Sequence, residues 1–222
     1  HAVARRIEDL TAYQDAAYAR TYQQVVDAVA ARERELAPDV KTPRLAMAVA
    51  RGLYKLMAYK DEYEVARLFS HPDFRQDLER QFQGDFSLRF HFAPPLLARR
   101  DPATGRPRKI TLGPRTATVL RWLAKGKVLR DTPLDVFGYT EERRMERRLW
   151  RDYLALLKHL AQHLDAGQYP AALELADLPQ QLRGFGPVKM AAAVHYRQRF
   201  AELSAQLTQS VAPANNLTAQ RL

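Results

Sequence analysis

From Val3 to Leu36 the chain carries neither proline nor glycine, and almost every residue in that stretch is a good helix former. Ile7, Tyr18, Tyr22, Val25 and Val29 share one face, so the spacing predicts a single long amphipathic helix that Pro38 stops. Thr42-Pro43 is an N-cap and first-turn pair, after which Leu45, Val49, Leu53, Leu56, Tyr59 and Tyr63 recur at steps of three and four to about Phe69. A chain that opens in this way has committed its core to helix packing. With 222 residues and 46% hydrophobic side chains it can bury a substantial one.

The helical period lapses once. After a short helix from Pro72 to about Phe82, Gly84-Asp85 precedes the alternating run Phe86 to Phe92, which reads as a strand with Phe86, Leu88, Phe90 and Phe92 on one side. Arg99 to Lys109 reads as an exposed loop and Ile110 to Leu112 as a returning strand, a ribbon that must lie on helices to be stable. Gly113-Pro114 opens another helix to Lys125. Thr140 caps a long one whose stripe is Met145, Leu149, Tyr153, Leu156, Leu160 and Leu164. Pro170 starts a short helix, and Gly184-Phe185-Gly186-Pro187 leads into the last, with Ala192, Tyr196, Phe200, Leu203 and Leu207 on one side. The expected fold is mainly α, a single multi-helix domain over 1–210 with a small β-hairpin or ribbon near 86–112, and a flexible tail over 211–222.

No apolar run approaches the roughly 18 residues of a membrane span, and HAVARRIEDL lacks a signal-peptide core, so a cytoplasmic location without membrane contact is expected. An opening His without Met suggests a tag remnant or an excised fragment. The chain has no cysteine, which removes disulfides, thiolate nucleophiles and cysteine-held clusters together. The net charge of +10 is concentrated: between Arg99 and Arg151 lie fifteen Lys and Arg against six Asp and Glu. Such a segment suits nucleic acid, an acidic protein face, an acidic ligand or plain solvent.

Motif chemistry is sparse. His159 and His163 have the i, i+4 spacing of two metal ligands, but HLAQH lacks the metalloprotease glutamate and reads as a surface pair. Arg183 to Lys189, RGFGPVK, is either a tight turn before a helix or an anion site at its N-terminus. Glu141 to Arg148 reads as a salt-bridged, solvent-facing helix surface.

Five stretches carry a resemblance: Leu10 to Tyr18 (LTAYQDAAY), Lys55 to Leu68 (KLMAYKDEYEVARL), Phe90 to Lys109 (FHFAPPLLARRDPATGRPRK), Asp135 to Glu146 (DVFGYTEERRME) and Arg183 to Lys189. In this order they resemble the C-terminal domain of the indolepyruvate ferredoxin oxidoreductase family, a branch of the thiamine-dependent 2-oxoacid:ferredoxin oxidoreductases. The resemblance spans about Val3 to Lys189. It implies a parent enzyme that oxidatively decarboxylates aryl 2-oxoacids, with thiamine diphosphate, Mg and iron–sulfur clusters lying elsewhere in that parent. No position here matches those cofactor motifs, so this chain is expected to be a non-catalytic accessory domain with no cofactor of its own. Its expected partners are the parent's catalytic domains or subunits and an acidic electron acceptor. The contact residues expected are Arg99, Arg100, Arg106, Arg108, Lys109, Arg183, Gly184, Gly186 and Lys189, with no catalytic or metal residue. Coenzyme A, held through its phosphates by the same residues, is the alternative, and nucleic acid a third.

Overall fold

A computed structural model describes residues 2–38, 42–84, 88–92, 110–113, 116–184 and 186–209. Its elements run α1 (Ala2–Tyr13), α2 (Ala16–Leu36), α3 (Arg44–Met57), α4 (Glu62–Ser70), α5 (Pro72–Gln81), β1 (Phe90–Phe92), β2 (Ile110–Leu112), α6 (Thr116–Lys125), α7 (Glu141–His163), α8 (Tyr169–Asp177) and α9 (Pro187–Thr208). The 3₁₀ turns Gly126–Leu129 and Leu178–Gln181 follow α6 and α8. The protein is mainly α. None of the described helices is long and apolar enough to cross a membrane.

Two expected helices are each broken in two, and in both cases an aspartate offers the backbone another partner. Asp15 Oδ1 accepts the Tyr18 amide at 2.8 Å, so α1 ends at Tyr13 and a fresh helix starts at Ala16. Asp61 Oδ1 likewise accepts the Glu64 amide at 2.8 Å, starting α4 where the periodicity had suggested one helix through Phe69. The strand expected over 86–92 is three residues long, and Phe90, His91 and Phe92 face Leu112, Thr111 and Ile110 in antiparallel register. The expected contact loop from Arg99 to Lys109 and the expected tail over 211–222 lie outside the described residues.

The chain divides into two compact units. The first comprises residues 1–21 and 56–151, the second 22–55 and 152–222, so the division falls within α2, α3 and α7. In the first unit α4 packs on α6 through Ala66 and Leu120, with Phe74, Leu88, Leu123 and Ala124 around them. Tyr13, Tyr59 and Tyr63 are buried there, as their helical spacing predicts.

The second unit is held by aliphatic packing and by tyrosine hydroxyls that donate to main-chain carbonyls. Tyr22 reaches Ala50 and Tyr153 reaches Ala176, each at 3.0 Å. A Cβ at Gly52 would meet the Ala176 carbonyl at 2.6 Å and the Tyr153 hydroxyl at 2.8 Å, so glycine permits this close helix approach. Glu33 is buried and acts as a remote cap for α3. Its two oxygens accept the Leu45 and Ala46 amides at 2.8 Å each, and Tyr169 donates to Oε1 at 2.7 Å.

Candidate functional site

The acidic and basic residues expected on the outer surface of α7 turn partly inward. Arg143 and Glu146 are buried, and Arg143 donates to Glu146 at 2.5 Å and to both oxygens of Glu62 at 3.2 and 3.3 Å. This corrects the solvent-facing reading of Glu141 to Arg148, although Arg144, Arg148 and Arg151 do face outward. The reason is register: the Met145 and Leu149 stripe carries Glu146 inward with it, and Glu62 at the start of α4 supplies a carboxylate for Arg143.

Arg130, just after the 3₁₀ turn, is the centre of a deeper pairing. Its side chain is 4% exposed and that of Asp61 3%. Nε donates to Oδ2 at 2.5 Å and Nη2 to Oδ1 at 2.8 Å, a two-pronged contact that matches guanidinium to carboxylate. Nη1 donates to the Tyr13 carbonyl at 2.5 Å and to Gln14 Oε1 at 2.9 Å, closing the end of α1. The guanidinium lies 3.8 Å from the centre of the Tyr13 ring. Burial works most strongly against the Arg130 charge, but the Asp61 hydrogen bond and the attraction of Tyr13, Asp61 and Tyr59 together outweigh it and hold the group above the ordinary guanidinium range.

Arg147 links Tyr59 to a second acidic pair. It donates to Asp135, lies 3.0 Å from Asp131 and reaches the Tyr59 hydroxyl at 3.4 Å. Asp135 also accepts the Tyr63 hydroxyl at 3.1 Å and the Gly138 amide at 3.2 Å. Asp131, with φ of 65°, is shared with Arg151 at 3.1 Å. A Cβ at Gly138 would meet both Arg147 Nη atoms, at 2.5 and 2.6 Å, so this turn needs glycine for close approach.

Beside this framework is a cleft of about 280 Å³ lined by Gln14, Asp15, Ala17, Tyr18, Thr21, Tyr59, Arg130 and Asp131. Burial raises the phenols of Tyr13, Tyr18, Tyr59 and Tyr63, with neighbouring carboxylates adding to it, so all four are neutral near pH 7. Tyr18 donates to the Met57 carbonyl at 3.0 Å. Arg130 is committed to Asp61, and Asp131 to two arginines, so the cleft presents a self-paired polar wall.

The sequence-expected contact residues divide by location. Arg99, Arg100, Arg106, Arg108 and Lys109 lie outside the described residues. Arg183, Gly184, Gly186 and Lys189 sit in the second unit at the start of α9, where Gly184 and Gly186 take φ of 87° and 54°. Gly186 is the N-cap residue of α9. Lys55 joins them: its ammonium donates to the Gln180 carbonyl at 3.1 Å. Its pKa is lowered by burial and then by repulsion from Arg183 and Lys189. Lys55 opens one of the resembling stretches, but nothing local marks it as a contact, and its distance in sequence from Arg183 hid it. His159 and His163 lie side by side with ring centres 4.7 Å apart and planes tilted by 44°. Among the described residues no group of three or more His, Asp or Glu could hold a metal ion, and with no cysteine the chain offers no thiolates for a cluster.

The profile of a family described as "Family of unknown function (DUF6537)" matches residues 1–202. None of the curated proteins and none of the solved structures matches the chain.

Proposed function

The chain belongs to the DUF6537 family, and from that premise we propose that it is a non-catalytic accessory domain of a thiamine-diphosphate-dependent indolepyruvate ferredoxin oxidoreductase, serving domain or subunit docking in the cytoplasm. One observation carries this reading. The residues in three of the resembling stretches are spent on one another: Tyr13 and Gln14 from the first, Asp61, Glu62 and Tyr63 from the second, and Asp135, Arg143 and Glu146 from the fourth, joined by Arg130 and Arg147. Ionisable groups paired in this way set a shape and are not themselves free for proton transfer. Thiamine diphosphate, Mg and iron–sulfur chemistry belong, on this reading, to the parent's other modules.

The test is 2-oxoacid-dependent dye reduction by the parent enzyme truncated before this segment, with and without the 222-residue chain added back. Activity lost on truncation and restored by the added chain is expected. Full activity without the segment would overturn the docking role.

A second reading is favoured by the approach of Lys55 to Arg183 and Lys189, whose mutual repulsion a bound polyanion would relieve. This is binding of the phosphates of coenzyme A at the start of α9. Calorimetric titration with coenzyme A, and with the Lys55→Gln variant, separates it: no heat with either protein rejects this reading.

A further inference from the structure

The outer face of α6 is chemically unlike the framework beneath it. Leu120 points inward against Ala66, whereas Val119 and Trp122, three residues apart and therefore neighbours on the helix surface, are 62% and 69% exposed. Six of the twelve large apolar side chains exposed among the described residues fall between Val119 and Tyr139, the others there being Val128, Leu134, Val136 and Tyr139. Apolar residues scattered singly over a surface need no explanation, but this concentration along one short stretch of chain, with an exposed tryptophan beside a valine on α6, does.

The charges beside it have one sign. From Thr116 to Arg130 the chain contains Arg121, Lys125, Lys127 and Arg130 and no Asp or Glu. Arg130 is buried on Asp61, and Lys127 donates to the Ala12 carbonyl at 2.7 Å. Arg121 and Lys125 remain, exposed and without an ion pair among the described residues, with the Lys125 ammonium 4.8 Å from the Trp122 ring centre. A surface with an apolar centre and a cationic edge selects a partner with an apolar centre and a carboxylate edge, because like charge or a bare apolar face would leave these two cations desolvated and unpaired.

We propose that the outer face of α6, Val119 and Trp122 edged by Arg121 and Lys125, docks an apolar, carboxylate-edged protein surface on another module of the same oxidoreductase. The identity of that module as part of the enzyme rests on the accessory-domain reading above; the face and the chemistry of its partner rest on α6 itself.

Hydroxyl-radical footprinting read by mass spectrometry tests it, comparing the 222-residue chain alone with the intact parent enzyme. Trp150, which packs against Tyr18 at 5.6 Å, is the internal reference. Trp122 is expected to oxidise quickly in the isolated chain and several-fold more slowly in the parent, with Trp150 unchanged. The Arg121→Glu/Lys125→Glu parent should lose that protection while its α-helical circular dichroism stays the same, since both side chains are exposed. Equal Trp122 rates in chain and parent would overturn the docking face while leaving the add-back assay to judge the accessory role independently. Slow oxidation in the isolated chain would also overturn it, whether concentration-dependent, showing self-association, or not, showing cover from the chain itself. Slowing on addition of duplex DNA to the isolated chain would overturn the protein partner, and protection that survives the charge reversal would overturn its carboxylate edge.

Discussion

The two units solve the same problem, holding helices together, with different chemistry. In the first, arginines from the turn after α6 and from α7 enter the interior and meet carboxylates at the start of α4 and in the turn before α7. In the second, Leu, Val and Ala fill the interior, and among the described residues the buried polar groups are neutral hydroxyls, of which Tyr22 and Tyr153 donate to carbonyls, with Glu33 the charged exception. Ion-pair frameworks are directional and fail when one member is lost, while aliphatic packing tolerates volume-conserving change. The first unit is therefore the one in which single polar substitutions do the greatest damage.

The sharpest way to break that comparison is Asp61→Ala. It strands the buried Arg130 charge and removes the cap of α4, and it should cost about 3–5 kcal/mol in chemical denaturation. The paired change Asp61→Leu with Arg130→Met should recover much of that loss. A double change as damaging as the single one would mean that the pair stabilises outright.

Glycine substitutions come next. Gly52→Ala pushes a methyl against the main-chain Ala176 carbonyl, which cannot swing aside, and should cost ~2–3 kcal/mol. Gly138→Ala meets the ends of the Arg147 guanidinium, which can shift, and should cost ~1–2 kcal/mol. The reverse order, measured by denaturant midpoint, would mean that the ion-pair turn is the less forgiving of the two.

Alkali acts on both units. A phenol whose pKa is raised by folding contributes stability that is complete below the unfolded value near 10 and is lost as pH climbs through the folded one. Tyr169, pushed up to about 12 by burial and its bond to Glu33, should titrate while the protein is still folded. Tyr13, Tyr18 and Tyr153 are raised further by burial and should ionise only as the fold opens. Phenolate absorbance followed beside circular dichroism from pH 9 to 13 should show a gradual phase and then one coincident with unfolding. A single smooth titration near pH 10 would contradict the buried assignments.

The smallest effect contrasts two tyrosines. The Tyr13 hydroxyl is buried without a hydrogen-bond partner, so Tyr13→Phe should be neutral or stabilising by under about 1 kcal/mol. Tyr153→Phe removes the bond to Ala176 and should destabilise by about 1 kcal/mol. Equal losses in both would mean that the Tyr13 hydroxyl finds a partner in solution.

Much of the helix pattern was legible because a buried stripe writes its period directly into the sequence, as with Met145, Leu149, Tyr153, Leu156, Leu160 and Leu164, all buried. The breaks at Gln14 and Ala58 were hidden by that same regularity. Their signals were small: Asp15 three residues before Tyr18, and Asp61 followed by Glu64, a capping pattern within an otherwise helical run. Of the candidate contacts, Arg183 and Lys189 were marked by their glycine-rich neighbourhood, whereas Lys55, more than a hundred residues away, was not.

By itself the sequence determined that this chain packs helices and that its cationic surplus gathers in one quarter of its length, because periodicity and charge are local and additive properties. Only the tertiary structure decided which cations of that quarter would become interior scaffolding and which would stay on the surface. Arg130 and Arg143 are buried because carboxylates from α4 and its cap meet them there, while Arg121 and Lys125 stand outside because α6 turns its Leu120 face inward. Burying an arginine is favourable only when an anion from elsewhere in the chain completes its hydrogen bonds, and that pairing is settled when the elements come together in space.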